Sequence, residues 1–493
     1  MRRFFISVSI FSCLFILFSC GREKRDVAFT DTLVIVHFND THSQLRPFKN
    51  RDGEIRGGIS RRRTLVNSIR KEHPNFLLID AGDFNTGSVY SVKYRGVLDI
   101  KLMNLLDYSF VTIGNHEFDF GVEHFIEKQY KAANFPIVSA NIYDKKSGER
   151  AFTPYIITNI AGSDIVIAGL LTSDLGVMNR EVREYYDVVY ELSAVSNLIY
   201  DLQLKRTNDM FILVTHSGFD TDRKIAEHFP DVDFIIGGHS HTRLTKPVTV
   251  KDSDTAIVQA GQWGEDAAFL EILLNKGKPV SHRYKLIPVD DSIALDKEIE
   301  AILDKKDEEI NREMDVVIAK AEIDLERPIL GNIIADSYIW KIPDLDIAMM
   351  NAGGVRASVS KGEIKVRDIH IVSPFDNVIM TFEIKGSVLK DIFKLGLTKR
   401  YIYYSKGVKV VMKDGEIVEA SLHGKPIEDD KYYKVACSDF LYYGGDDMDM
   451  LVPNAKNVYD TSFPARETLV EYVRHLKTLN ANTVQISQRA VKQ

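Results

Sequence analysis

Five short apolar runs in the first half of the chain each stop abruptly in a polar cluster. "LVIVHF" (33–38) leads to Asn39, Asp40, Thr41 and His42, and "FLLID" (76–80) to Ala81, Gly82 and Asp83. "FVTI" (110–113) leads to "GNHEFDFG", "FILVT" (211–215) to His216, Ser217 and Gly218, and "FIIGG" (234–238) to His239, Ser240 and His241. Runs of this length, rich in Ile and Val and bounded by Gly, read as buried strands. Helical spacing of apolar residues lies between some of them, over 60–71 and 194–206. Buried strands alternating with helices predict a layered α/β architecture. Ligand sites in such sheets gather beyond the carboxyl ends of the strands, where the polar clusters fall. Between 294 and 320 the texture changes to a charged helix with Ile299, Ile302, Leu303 and Ile310 at helical spacing, read as a connector. A second α+β unit follows over 321–485, with "IAMMNAGGVR", "SPFDN" and "SDFLYYGGDD" as its conspicuous stretches.

Composition narrows the class. A chain of 493 residues is too long for one ordinary core. Its 45% apolar and 27% charged residues are those of a folded globular protein, which excludes collagen, a disordered chain and a multi-span membrane protein. The first residues differ: Arg2 and Arg3 precede an apolar run from Phe4 to Phe18. That run is shorter than the roughly 20 residues a spanning helix needs and has the layout of a secretory signal. Ending in Cys20, with Ser19 before it and Gly21 after, it resembles a bacterial lipoprotein lipobox. The resemblance implies a signal peptide over 1–19, an acylated Cys20, a tether over 20–31, and an exported protein anchored in the membrane on the periplasmic face or cell surface. Of the three cysteines, Cys13 leaves with the signal and Cys20 carries lipid, so Cys437 has no partner for an internal disulfide. Loss of Arg2 and Arg3 takes the formal charge from −7 to −9, which argues against nucleic acid as a partner. An anionic substrate then needs a local positive site.

The polar clusters supply it. Taken singly, an Asp-x-His at a strand end reads as a turn or helix cap. Five in series, offering Asp, Asn and four His, read instead as a ligand set for Zn, Mn, Fe or Co. "NDTH", "GD" within "DAGDFNTGS", "GNHEFD", "THSG" and "GGHSH" together resemble the five blocks of the calcineurin-like metallophosphoesterases, and with the second half the chain resembles the bacterial 5'-nucleotidase family over roughly residues 33–480. That resemblance implies a four-layer α/β/β/α metallophosphoesterase domain over 32–293 followed by a smaller α+β substrate-binding domain. It also implies two divalent metal ions, with Zn, Mn or Co the expected choices. Asp40, His42, Asp83 and His241 would hold the first ion and Asp83, Asn115, His216 and His239 the second. Two cations roughly 3.5–4 Å apart lower the pKa of a bridging water and clamp phosphoryl oxygens during in-line attack. With only two carboxylates against four positive charges, such a site stays cationic. By the same resemblance His116 faces the phosphoryl group and Asp119 orients its imidazole. Glu117 reads as a carboxylate that holds the fold, and Asp220 and Asp222 read as caps of the helix that follows.

The second half names the substrate. The resemblance makes Asn351 and Arg356 of "NAGGVR" substrate-binding, with Arg356 on phosphate. It assigns Phe375 and Phe440 to a base sandwich and Asp446 to the ribose hydroxyls. Stacking between rings is worth roughly 1–3 kcal/mol per base and tolerates any base. Arg327 is a further candidate phosphate contact, one residue closer to its Gly-Asn pair than in some relatives. Asp447 departs from the Gly and aromatic usual after the ribose Asp. The expected activity is removal of the 5'-phosphate from extracytoplasmic nucleotides. UDP-sugar or 2',3'-cyclic-nucleotide diester hydrolysis on the same centre stands as the alternative, and a non-catalytic nucleotide-binding lipoprotein as the remote one. With catalyst and base clamp on different domains, closure would complete the site, with the connector as hinge.

Overall fold

The computed structural model describes residues 31–50, 52–205, 209–375, 377–399, 401–484 and 489–492. The signal peptide and the lipidation expected at Cys20 lie outside the described residues. The first half contributes strands β1 (Asp31–Phe38), β2 (Phe76–Asp80), β3 (Phe110–Thr112), β4 (Ile137–Val138), β5 (Tyr155–Ile160), β6 (Ser163–Leu171), β7 (Met210–His216), β8 (Phe234–Gly237), β9 (Ala256–Val258), β10 (Asp266–Asn275) and β11 (Lys278–Pro288). They form two sheets, ordered β11-β10-β1-β2-β3-β4 and β9-β8-β7-β6-β5.

Side-chain alternation along each strand explains the layering. Leu33 and Ile35 of β1 point into a core shared with Ile167, Ile212 and Val214 of the second sheet. Val34, Val36 and Phe38 point the other way, onto Val66 and Ile69 of the helix Ile59–Glu72. On the far side, Val166 and Ala168 pack on Val195 and Leu198 of the helix Glu191–Lys205. The result is helix, sheet, sheet, helix. Runs β1 to β4 and β6 to β9 are parallel, so the loops after β1, β2, β3, β7 and β8 open at carboxyl ends.

A helix over Lys297–Met314 follows, its first turn capped by Asp296, whose carboxylate accepts from the N–H groups of Glu298 and Ile299. Its apolar face, Ile299, Leu303 and Ile310, belongs to the outer core of the first domain. Arg46 fastens its polar face through Glu300, Asp304 and Asp307.

In the second half, β12 (Ile347–Asn351), β13 (Val378–Lys385), β14 (Ile402–Tyr404), β15 (Tyr432–Ser438) and β16 (Lys456–Pro464) form a sheet ordered β14-β12-β15-β13-β16. Helices Arg327–Lys341 and Ala465–Leu476 cover the face bearing Ala348 and Met350. The helix Gly386–Thr398 covers the face bearing Ile347 and Met349. No helix among the described residues is long and apolar enough to cross a membrane.

Candidate active site

The loops at the carboxyl ends of β1, β2, β3, β7 and β8 converge. Asp40, His42 and His241 form one group of candidate ligands and Asp83, His216 and His239 a second, with the donor atoms in each within 4.8 Å of one another. Asn115 Oδ1 joins the second group, 3.0 Å from His239 Nδ1 and 3.2 Å from His216 Nε2. Asp83 Oδ2 lies 3.1 Å from His216 Nε2, and the same carboxylate also groups with His42. Five of these seven residues, Asp40, His42, Asp83, His239 and His241, have φ between 46° and 74°. Left-handed backbone costs a non-glycine residue about 1–3 kcal/mol and gathers at functional sites. Here it aims side chains of both sheets into one space.

The donor chemistry fits two divalent ions. His42 Nδ1 faces the carbonyl oxygens of Thr86 (2.8 Å) and Asn85 (3.2 Å), and His216 Nδ1 faces that of Ala81 (2.7 Å). A carbonyl only accepts, so both Nδ1 atoms donate, and Nε2 of each ring is the atom turned inward. His42 Nε2 meets His241 Nε2 at 3.1 Å, and His241 Nε2 lies 3.3 Å from Asp40 Oδ1, so the three candidate donor atoms converge on one point. Burial drives His42 down to about 3 and, with His216, drives His239 down to about 4, so both imidazoles are neutral and could bind a metal. Burial alone would raise Asp83, but His216 and His116 hold it well below the carboxylate range.

The opening of the loop after β3 divides its side chains. His116 Nδ1 donates to Asp119 Oδ2 at 2.7 Å. Its Nε2 is 4.0 Å from Asp83 Oδ2. Burial opposes the charged imidazole, yet Asp119 and Asp83 outweigh it and raise the pKa. Glu117 is fully buried beneath the loop. Gly114 has no room for a Cβ, which would stand 2.3 Å from Asp83 Oδ1.

The second domain completes a cavity of about 260 Å³ over this centre. Its wall contains Asp83, Asn115, His116, Asp119, His239 and His241 from the first domain, and Asn351, Arg356, Phe375, Phe440 and Asp446 from the second. Phe375 stacks on His116 with centroids 5.9 Å apart, and the Arg356 guanidinium lies 5.9 Å over the Phe375 ring. Asn351 Nδ2 donates to Asp446 Oδ2 at 2.7 Å.

Arg327 is not brought to the wall. Its guanidinium donates to the carbonyls of Val355 (2.6 Å) and Ala352 (3.1 Å), so it props the loop that carries Arg356. Asp447 is exposed and also off the wall. The capping role read for Asp222 is corrected: Gly218 caps the helix Phe219–His228 without a side-chain bond. Asp222 is instead buried and accepts from the hydroxyls of Thr215 (2.6 Å) and Ser217 (3.2 Å), either side of His216. The wall also includes Met178, Asn179, Asn377 and Asp439, which sequence reasoning missed. Asn179 accepts from the Glu181 N–H and caps the helix Arg180–Tyr185.

Parallel strands of two stacked sheets ending in converging Asp, Asn and His clusters define a metal-dependent phosphoester hydrolase. The calcineurin-like phosphoesterase family matches residues 33–243, and the 5'-nucleotidase C-terminal domain matches residues 313–453. The chain belongs to the 5'-nucleotidase family, with the first of these domains followed by the second. It is 28% identical over 532 residues to a 5'-nucleotidase of Vibrio vulnificus (strain CMCP6), covering 94% of this chain and 95% of that one. It is 29% identical over 494 residues to the snake venom 5'-nucleotidase of Crotalus adamanteus, covering 86% and 83%. Its fold matches the crystal structure of a 5'-nucleotidase precursor from Thermus thermophilus with a TM-score of 0.81 at 27% identity, covering 94% of this chain and 99% of that one.

Proposed function

We propose that the protein hydrolyses the 5'-phosphate of nucleotides to nucleoside and phosphate. The observation that carries this reading is Arg356. Its guanidinium lines the cavity beside Phe375 and has no hydrogen-bonded or ionic partner among the described residues. A cation left so calls for an anion, and a planar fork suits phosphate. Asp40, His42, Asp83 and His241 would hold one divalent ion and Asp83, Asn115, His216 and His239 the other. The ions supply Lewis acidity that neutralises phosphoryl oxygens and acidifies water.

The chain's own groups do the rest. Asp119 accepts from His116 Nδ1, which fixes the ring and keeps Nε2 directed at the cavity to protonate the leaving oxygen. Arg356 orients the phosphate against that ring. Phe375 and Phe440 flank the base, and Asn351 with Asp446 offers polar atoms to the sugar. Because stacking tolerates any base, broad nucleotide use follows. The test is hydrolysis of AMP and p-nitrophenyl phosphate, read as free phosphate, and of UDP-glucose and 2',3'-cyclic AMP, read as their monoester products, by protein lacking residues 1–20, with and without Mn, Zn or Co. AMP turnover that requires metal is expected; turnover without metal, or none, overturns the reading. Diester turnover exceeding that of AMP would transfer the assignment to the diesterase alternative.

We further infer export and lipid anchoring at Cys20, from the residues around it. Cys20→Ser should release the protein from the membrane fraction. Retention would show that another feature holds it there.

A further inference from the structure

Glu117 is a carboxylate beneath the cavity that the proposed chemistry leaves unused. It is 0% exposed, and both of its oxygens are engaged by backbone. Oε2 accepts from the N–H groups of Gly114 (2.6 Å) and Asp83 (2.9 Å), and Oε1 from that of Asn85 (3.2 Å). These donors lie on the loops after β2 and β3, which carry ligands of both sites. The stitching is reciprocal, because the His116 N–H donates back to Asp83 Oδ1 at 2.9 Å. That bond leaves Oδ2 turned toward His216. The third N–H extends the reach further, since the carbonyls of Asn85 and Thr86 hold His42 Nδ1.

We propose that Glu117 is a positioning residue for both metal sites. It fixes Asp83, Asn115 and, through the 85–86 carbonyls, His42 at the mutual distances two ions need. The inference rests on the two-metal reading above. A carboxylate has about four lone-pair sites and no donor, so three converging N–H groups suit it. The amide of Gln has one acceptor oxygen and must set an N–H₂ against at least one of the three. Outer hydrogen bonds of this kind typically change metal affinity by about 10–100-fold.

The experiment uses full-length protein in detergent. Metal content is measured by mass spectrometry after dialysis against graded free Mn²⁺, with melting temperature and AMP kinetics recorded alongside. Glu117→Gln should weaken Mn²⁺ binding by about 10–100-fold, with fewer than two ions per chain at limiting metal. Turnover should recover at saturating Mn²⁺ with KM for AMP unchanged. Glu117→Asp keeps the carboxyl group but is too short to span both loops, and should weaken binding as well. Unchanged Mn²⁺ affinity in folded variants overturns the inference, as does failure of both variants to fold, since the carboxylate would then serve folding alone. Wild-type protein that binds no Mn²⁺, Zn²⁺ or Co²⁺ would instead overturn the two-metal reading itself.

Discussion

At the scale of single residues, the loop after β3 separates roles that sit side by side in sequence. Asn115 points at His216 and His239, His116 at the cavity, and Glu117 back into the fold. His116→Asn keeps a polar side chain but cannot shuttle a proton, so kcat for AMP should fall by about 10²–10⁴-fold. Bound metal, read by mass spectrometry, should stay at the wild-type level. Loss of metal would make His116 a ligand. The residue types of the candidate ligands were legible in the sequence because each closes an apolar run. The placement of Arg327 was not, because whether a guanidinium reaches a ligand or its own backbone depends on where residues 352–355 fold. Asp222 misled for a related reason: a short polar side chain after a strand can cap a helix or turn inward, and local sequence is the same for both.

At the scale of elements, the strands were legible because burial on both faces needs continuous apolar runs, as in Phe211–Val214 and Phe234–Ile236. What the pattern did not convey is how closely elements approach. The helix Arg327–Lys341 meets β14 at Gly331, where an added Cβ would stand 1.9 Å from Tyr403 Cδ2. Ala gains about 1 kcal/mol of helix propensity over Gly, but overpacking typically costs about 1–3 kcal/mol, and the buried Tyr403 ring has little room to yield. Gly331→Ala should therefore lower stability by up to about 2 kcal/mol, read by urea denaturation at fixed metal concentration. A more stable variant would show that the ring moves aside. The amphipathic helix Lys297–Met314 shows the same gap: spacing marks its apolar face, while only the fold shows that Arg46 and the outer core of the first domain dock it.

At the scale of the whole molecule, the cavity exists only where the two domains meet. Arg183 of the first domain donates to the Tyr443 carbonyl of the second at 2.7 Å and to the Leu175 carbonyl of its own domain at 2.8 Å. It thereby clasps the turn before Asn179 to the loop between Phe440 and Asp446, both of which line the cavity. A hydrogen bond from a charged group contributes about 1.5–3 kcal/mol. Arg183→Ala should lower kcat/KM for AMP by roughly 10-fold or more, with metal content unchanged. Steady-state kinetics equal to wild type would remove the clasp from the closed arrangement.

By itself, the sequence determined the layered α/β class, the strand ends where polar clusters gather and the types of the candidate ligands, because local periodicity and residue chemistry act over a few positions. Tertiary structure alone decided which side chains share a space. The convergence of Asp40 and His42 with His241 and of Asp83 with His216 and His239, the bonds from Asp83 and Asn85 N–H to Glu117, and the cavity wall that Arg356 and His116 share across domains all join residues far apart in the chain. Such contacts follow from packing two sheets and a second domain against one another, and no local pattern encodes them.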